Sequence, residues 1–349
     1  MTTTTVEAPS LSYIQVPETS ESLDWADLVT LDLSKFDQPG GKHDLATEFI
    51  QAIEDVGFFY VKNHGLSRED VDNQFAIASS TLALSNEEKS PYRAALEQGG
   101  YNGWKPAGTR NLIPGVKDNF EIYNIPKFIP EHADRAHPDV IRQQLPTIER
   151  FSRHIHDEIV TKLLKTSGDH LRYMKYYARS EEENLKLGGV WLKGHSDMGS
   201  LTLLFRQPVA ALQVLSKDGT WRYVRPQMDA LTVNLADALH FLTGGYLKSS
   251  IHRVVAPPKD QAHIDRLGVL YMVRIEDDSH LVPIKESPVL CHHGLIGDGV
   301  VDGDGNPIKA GEWVKQRVIK NLSTTAADDG DNEVNQVEIV KGVSVQYFD

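Results

Sequence analysis

Residues 193–205, KGHSDMGSLTLLF, set a histidine and an aspartate two positions apart at the head of an apolar run. On a strand, residues i and i+2 project from one face, so His195 and Asp197 can both reach one ion. Whether they lie on a strand depends on the surrounding pattern. Beyond residue 170 the chain falls into short β-like runs split by turns: LRYMKYYA (171–178), SLTLLFR (200–206), LQVLS (212–216), TWRYVRP (220–226), ALTVNL (230–235), HRVVAPP (252–258) and RLGVLYMV (266–273). Seven short strands within about 100 residues predict an antiparallel sandwich or jelly roll.

Upstream the period changes. LVTLDLSKF (28–36) is β-like and is followed by the turn-prone DQPGGK. Leu45, Phe49, Ile53 and Val56 then form the apolar stripe of an amphipathic helix, with Gly57 as its C-cap and FFYVKN (58–63) as a strand. Ser67 followed by Glu69 and Asp70 starts a second helix. LEQGGYNGWKPAG (96–108), rich in Gly and aromatics, reads as a loop over a cavity, and residues 139–168 as a long helix that Pro146 kinks or restarts. EEEN (181–184) reads as a solvated loop and AGEWVKQRVIKNL (310–322) as a closing helix. The division expected is a flexible leader over 1–27, an N-terminal helical and strand region over 28–165, a β-core over 166–320 and a polar tail over 321–349.

Composition narrows the function. Lys plus Arg number 36 against 49 Asp plus Glu, a net charge of −13 that argues against nucleic acid or an anionic membrane as partner. No apolar stretch is long enough to span a bilayer, and the N-terminus lacks the basic-then-apolar pattern of a secretory signal. A single cysteine, Cys291, excludes a disulfide framework and multi-cysteine metal sites, so a reducing, cytoplasmic setting is expected. DGDGNP (302–307) reads as a hairpin turn rather than a calcium loop, and His154 and His156 sit two apart on a predicted helix, where they face different ways.

A third ligand for the His195/Asp197 pair is sought on a later strand, and KSSIHRVVAPP (248–258) supplies His252, with 54 residues between it and Asp197. Two imidazoles and one carboxylate on one face of an octahedron describe a non-haem Fe(II) site, with three positions left for a co-substrate and dioxygen. On the pair alone, two polar residues that merely open a strand remain an alternative. Arg266 heads another apolar strand fourteen positions beyond His252. A buried arginine must be paired, and its fork suits a carboxylate ligand.

With these residues the chain resembles the isopenicillin N synthase-like group of Fe(II)/2-oxoglutarate-dependent dioxygenases. The likeness extends over roughly residues 28–320: LVTLDLS (28–34), AIEDVGFFYVKNHGLS (52–67), LSNEEKSPYR (84–93), the His195-x-Asp197 pair, HFLTGGYLKSSIHRVV (240–255) and GEWVKQR (311–317). It implies an α+β, mainly β fold: a double-stranded β-helix (a distorted jelly roll) with N-terminal helices and a C-terminal helix. His195, Asp197 and His252 would be the iron ligands, and Arg266 would grip the distal carboxylate of 2-oxoglutarate. Gly268 stands where the group carries a serine. MKYYA (174–178) is similar to its Asn-Tyr-Tyr-Pro segment, which sets Tyr177 beside 2-oxoglutarate and Lys175 in place of the asparagine. Tyr101, Trp104, Phe120, Leu203, Phe205 and Met272 are the candidate substrate pocket. The implied activity is oxidation of an unactivated C–H bond of a small organic molecule, a specialised metabolite, using Fe(II), 2-oxoglutarate and O2 and releasing succinate and CO2. Two alternatives share the pattern: an Fe(II) oxidase of the same fold that does not use 2-oxoglutarate, and a non-catalytic jelly-roll binding protein.

Overall fold

The computed structural model describes residues 11–163, 168–323, 334–340 and 343–348. In chain order the strands are β1 (Thr30–Asp32), β2 (Phe58–Lys62), β3 (Gly103–Lys105), β4 (Asn111–Ile113), β5 (Val116–Lys117), β6 (Phe120–Pro126), β7 (His170–Tyr176) and β8 (Val190–His195). They continue as β9 (Leu201–Leu204), β10 (Leu212–Leu215), β11 (Trp221–Tyr223), β12 (Ala230–Leu235), β13 (His252–Val255), β14 (Arg266–Val273), β15 (Val334–Val340) and β16 (Val343–Phe348). An eight-stranded sheet runs β1-β2-β12-β9-β14-β7-β6-β3 and a six-stranded sheet runs β11-β10-β13-β8-β16-β15, while β4 and β5 pair as a separate hairpin. Apart from the parallel pair β1–β2, the strand pairs are antiparallel. The jelly-roll expectation holds.

Strand periodicity decides what each face of the large sheet meets. On β14, Val269, Tyr271 and Val273 join Leu171 and Tyr173 of β7 and Leu203 of β9 in the main core. Phe75, Ile77 and Leu82 from helix Arg68–Ala83, and Ile148 and Phe151 from helix Asp139–His154, cover that side. The alternate residues face the small sheet, where Phe120, Ile122 and Tyr176 pack against Trp191 and Val254. A site between the sheets therefore draws on every second residue of each strand.

The local signals mostly act as expected. Ser67 and Asp70 form a reciprocal capping box at the start of helix Arg68–Ala83. Gly57, at φ 70°, closes helix Gly41–Asp55, and a Cβ there would lie 2.4 Å from Ser250 Oγ. That hydroxyl donates to the Gly57 carbonyl at 2.6 Å, so β2 approaches the chain just before His252 only because residue 57 has no side chain.

Several expectations change. Helix Asp139–His154 continues through Pro146, and the irregularity comes later as a π-turn over Ile155–Val160. The stretch at 96–108 contains β3, with Trp104 in register with Tyr123. EEEN lies in helix Glu181–Lys186, capped by Ser180 accepting from the Glu183 N–H. The expected leader is tied down over its described part. Tyr13 stacks on Phe75 at 5.0 Å, Gln261 Nε2 donates to the Pro17 carbonyl, and Ala26 N–H donates to Tyr223 O. The expected polar tail holds β15 and β16, whose Ile339 and Val345 bury against Trp313, Val314 and Val318 of closing helix Ala310–Ser323. Apolar residues alternate along β16 (Val343, Val345, Tyr347) but not along β15, which follows an acidic stretch, so the hairpin carries a weak period. From the N-terminal region, β1, β2, β3 and β6 extend the large sheet. Among the described residues no helix is long and apolar enough to cross a membrane.

Candidate metal centre

His195 closes β8, His252 opens β13, and the two strands pair with these residues opposite one another. The imidazole centroids are 4.4 Å apart. Asp197 follows two residues after His195, with its Oδ1 4.0 Å from His195 Nε2 and 3.8 Å from His252 Nε2. One ligand atom from each of the three lies within 4.8 Å of the others. This is the His-x-Asp…His set read from the sequence, brought together by one cross-strand pair.

The surrounding hydrogen bonds orient the donors. His195 Nδ1–H donates to the Lys193 carbonyl at 2.8 Å, which leaves Nε2 as the lone-pair nitrogen. Burial, then the charge of His252, lowers the His195 pKa to about 3, so its imidazole is neutral. Burial acts to raise the Asp197 pKa, but the two histidines and the hydrogen bonds from Thr202 and Asn234 outweigh it and hold the carboxylate ionised below its usual range. Thr202 Oγ1 donates to Oδ2 at 2.6 Å and Asn234 Nδ2 at 3.1 Å, which leaves Oδ1 toward the histidines. From the closing helix, Arg317 donates to Asp237 Oδ2 at 2.9 Å and to the Ser196 carbonyl at 2.8 Å, gripping the loop between the two ligand positions. Two imidazoles and one carboxylate with an oriented oxygen suit a hard-to-borderline divalent metal such as Fe(II).

Farther along β14, Arg266 is 5% exposed and makes no hydrogen bond or ion pair among the described residues. Burial lowers its pKa to about 10, and its guanidinium lies 5.6 Å from the Tyr176 ring centroid. A buried guanidinium without an anion is costly, so this pocket fits an incoming carboxylate.

Here the sequence expectation is off by one residue. Tyr176, opposite Arg266 in the β7–β14 register, faces it; Tyr177 turns the other way and donates its hydroxyl to Glu121 Oε1. Lys175 also points away, pairing with Asp265 at 2.9 Å. The parity of β7 makes the difference: Arg172, Met174 and Tyr176 share the interior face. At Gly268 a Cβ would fall 2.1 Å from Gln207 Nε2, so the Gln207 amide fills the room that a serine would need.

The pocket residues divide. A cavity of about 180 Å³ opens at the triad, lined by His195 and Asp197 together with Tyr101, Phe120, Ile122, Met174 and Leu192. Tyr101 and Phe120 are thus at the site, and Met272 lies beneath it with its sulfur 3.6 Å from Thr202 Oγ1. Trp104 is not: its Nε1 donates to Glu121 Oε2 at 2.8 Å, in a buried cluster with Lys89. Leu203 and Phe205 are on the helix side, Phe205 5.0 Å from the Phe151 ring and lining a separate cavity of about 460 Å³. Thr202 faces the ligands, so its neighbours on either side cannot. Thr202, Asn234, Arg172, Gln207 and Arg317 were missed by sequence reasoning. Polar residues inside the apolar runs LTLL and LTVNL were the available signal for the first two.

Residues 28–147 match the family model described as non-haem dioxygenase in morphine synthesis N-terminal, and residues 168–272 match that of the 2OG-Fe(II) oxygenase superfamily. A 2-oxoglutarate-dependent dioxygenase of Gibberella zeae is 30% identical over 258 residues, 66% of this chain and 74% of the relative. The chain belongs to the 2OG-Fe(II) oxygenase superfamily. Naringenin,2-oxoglutarate 3-dioxygenase of Petunia hybrida is 25% identical over 305 residues, 82% of this chain and 77% of the relative. In fold, the oxygenase is similar to a full-length Neurospora crassa protein solved in complex with alpha-KG, at a TM-score of 0.69 and 23% identity over 83% of this chain and 95% of that one. Fe(II) is its cofactor and 2-oxoglutarate its co-substrate.

Proposed function

We propose that His195, Asp197 and His252 hold the Fe(II) of this oxygenase, and that Arg266, between Tyr176 and Gln207, receives the distal carboxylate of 2-oxoglutarate. The substrate is a small organic molecule, a specialised metabolite, oxidised at an unactivated C–H bond with succinate and CO2 as co-products. One observation carries the reading: two histidine Nε2 atoms converge on Asp197 Oδ1 at 4.0 and 3.8 Å. Naringenin and scopoletin, in the names of the Petunia enzyme and of an Arabidopsis thaliana 8-hydroxylase, support the substrate class. Buried Arg266 favours the 2-oxoglutarate reading; in an oxidase that dispensed with 2-oxoglutarate it would hold a substrate carboxylate instead. The single cysteine, free and exposed, fits a reducing, cytoplasmic setting.

When bound, Fe(II) with 2-oxoglutarate and O2 supplies the C–H-oxidising chemistry. The chain's part is positional. Thr202 and Asn234 fix Asp197, the Lys193 carbonyl fixes the His195 tautomer, and Arg317 fixes the loop between them. Phe120, Ile122, Met174 and Leu192 present an apolar wall that excludes water and holds a C–H bond near the metal. In a single-turnover assay with Fe(II), 2-oxoglutarate and O2, the parent protein is expected to release succinate, and His195→Ala and Asp197→Ala to release none. Undiminished succinate from either variant would contradict the ligand assignment.

A further inference from the structure

The cavity at the metal centre has an apolar wall and a surplus of cations. Lys105, Arg110, Arg172 and Arg317 line it, against Asp118 and Asp197. Most of these charges are already committed. Lys105 pairs with Asp118 at 2.7 Å, Arg317 pairs with Asp237 at 2.9 Å, and Asp197 belongs to the triad. Arg172 and Arg110 have no ion pair among the described residues.

Arg172 is the better placed of the two. It projects from β7 on the parity of Met174 and Tyr176, into the space that His195 and Asp197 enter from β8. Its Nε donates to Asn124 Oδ1 at 2.9 Å, and Asn124 is itself fixed by donating Nδ2 to the Tyr101 carbonyl at 2.7 Å. The guanidinium is therefore aimed, with its outer nitrogens left for a ligand. The nearest other partner is His170 Nε2 at 3.5 Å. Burial and then Arg172 itself hold the His170 pKa well below the ordinary value, so that ring is a neutral partner and supplies no counter-charge.

We propose that the substrate carries a carboxylate that pairs with Arg172, so the oxidised C–H bond belongs to a small, largely apolar organic acid. The proposal rests on the oxygenase reading above and names the substrate class for that same site. Arg172 is half-buried against an apolar wall; a cation so placed is held at a cost unless an anion meets it, and a planar fork matches a carboxylate. The distal carboxylate of 2-oxoglutarate has its own cation. Arg172 lies opposite Leu270, whereas Arg266 lies four residues away along β14, roughly 13 Å at the usual strand rise. Two cations that far apart on one wall serve two anions. The apolar lining of Phe120, Ile122, Met174 and Leu192 takes the rest of the molecule.

The test is calorimetric titration of the anaerobic Fe(II)- and 2-oxoglutarate-loaded protein with cinnamate, phenylacetate and octanoate, each beside its primary amide. At least one acid is expected to bind, with its amide roughly tenfold weaker or worse. Arg172→Gln is expected to reduce that acid to the level of the amide while Fe(II) and 2-oxoglutarate affinities stay at parent values. Amides binding as well as acids, or none of the acids binding, would overturn the proposal with the parent protein alone. So would an Arg172→Gln protein that keeps acid affinity, or one that loses 2-oxoglutarate instead. Failure of the oxygenase reading is distinct: the parent protein would not load with Fe(II) and 2-oxoglutarate before any acid is added.

Discussion

Arg266 and Gly268 share one face of β14, and between them they define how this oxygenase is expected to hold 2-oxoglutarate. Arg266 has no competing anion, so Arg266→Gln should weaken 2-oxoglutarate binding by roughly ten- to a hundredfold, the size of a charge-assisted hydrogen-bond loss, and leave Fe(II) binding intact. Equal affinity in the variant, measured by titration calorimetry, would remove that role. Tyr176→Phe should affect the same affinity and Tyr177→Phe should not, because only Tyr176 faces Arg266. Gly268→Ser should cost about 1 kcal/mol of stability or less, since its Cβ would meet only the end of the Gln207 side chain at 2.1 Å and that amide can swing aside. A much larger loss in thermal unfolding, unrelieved by adding Gln207→Ala, would argue against that contact. The cluster of His195, Asp197 and His252 proposed as iron ligands was legible from residue type and spacing, as was Arg266. Tyr177 was misread because a resemblance aligns residues in order, whereas the face a residue occupies is set by strand parity. Gln207, in the irregular segment after β9, carried no periodic signal at all.

Elements rather than single residues set the geometry of the metal loop. Closing helix Ala310–Ser323 reaches it through Arg317, 2% exposed, whose partners are Asp237 and the Ser196 carbonyl. Arg317→Ala leaves Asp237 buried without its cation, a change expected to cost about 3–5 kcal/mol and to loosen Fe(II) binding although Arg317 touches no ligand side chain. Unfolding in denaturant and Fe(II) titration check both halves; unchanged iron affinity in a folded variant would confine Arg317 to stability. The seven downstream strands were legible as short β-like runs bounded by turns, and the main helices by their 3.6-residue apolar period. The hairpin β15–β16 and strand β3 were not. The first follows an acidic stretch and its leading strand does not alternate, and the second owes its strand state to pairing with β6 rather than to its own Gly-rich sequence.

At the scale of the whole molecule, two sheets meet so that β8 and β13 of the smaller bring the ligands and β7 and β14 of the larger bring Arg172 and Arg266. Strands from either side of residue 165 share the larger sheet, because pairing across a sheet is non-local: β1 and β2 join β12, far along the chain. The central claim is that one Fe(II) and one 2-oxoglutarate occupy this interior together, held by His195, Asp197, His252 and Arg266. The most direct measurement adds Fe(II) and then 2-oxoglutarate to the metal-free protein under anaerobic conditions and records the visible spectrum. A weak charge-transfer band is expected only when both are present, lost in His252→Ala and, at matched 2-oxoglutarate concentration, diminished in Arg266→Gln. A full band in His252→Ala, or iron bound by the parent protein without any band on adding 2-oxoglutarate, would contradict the account.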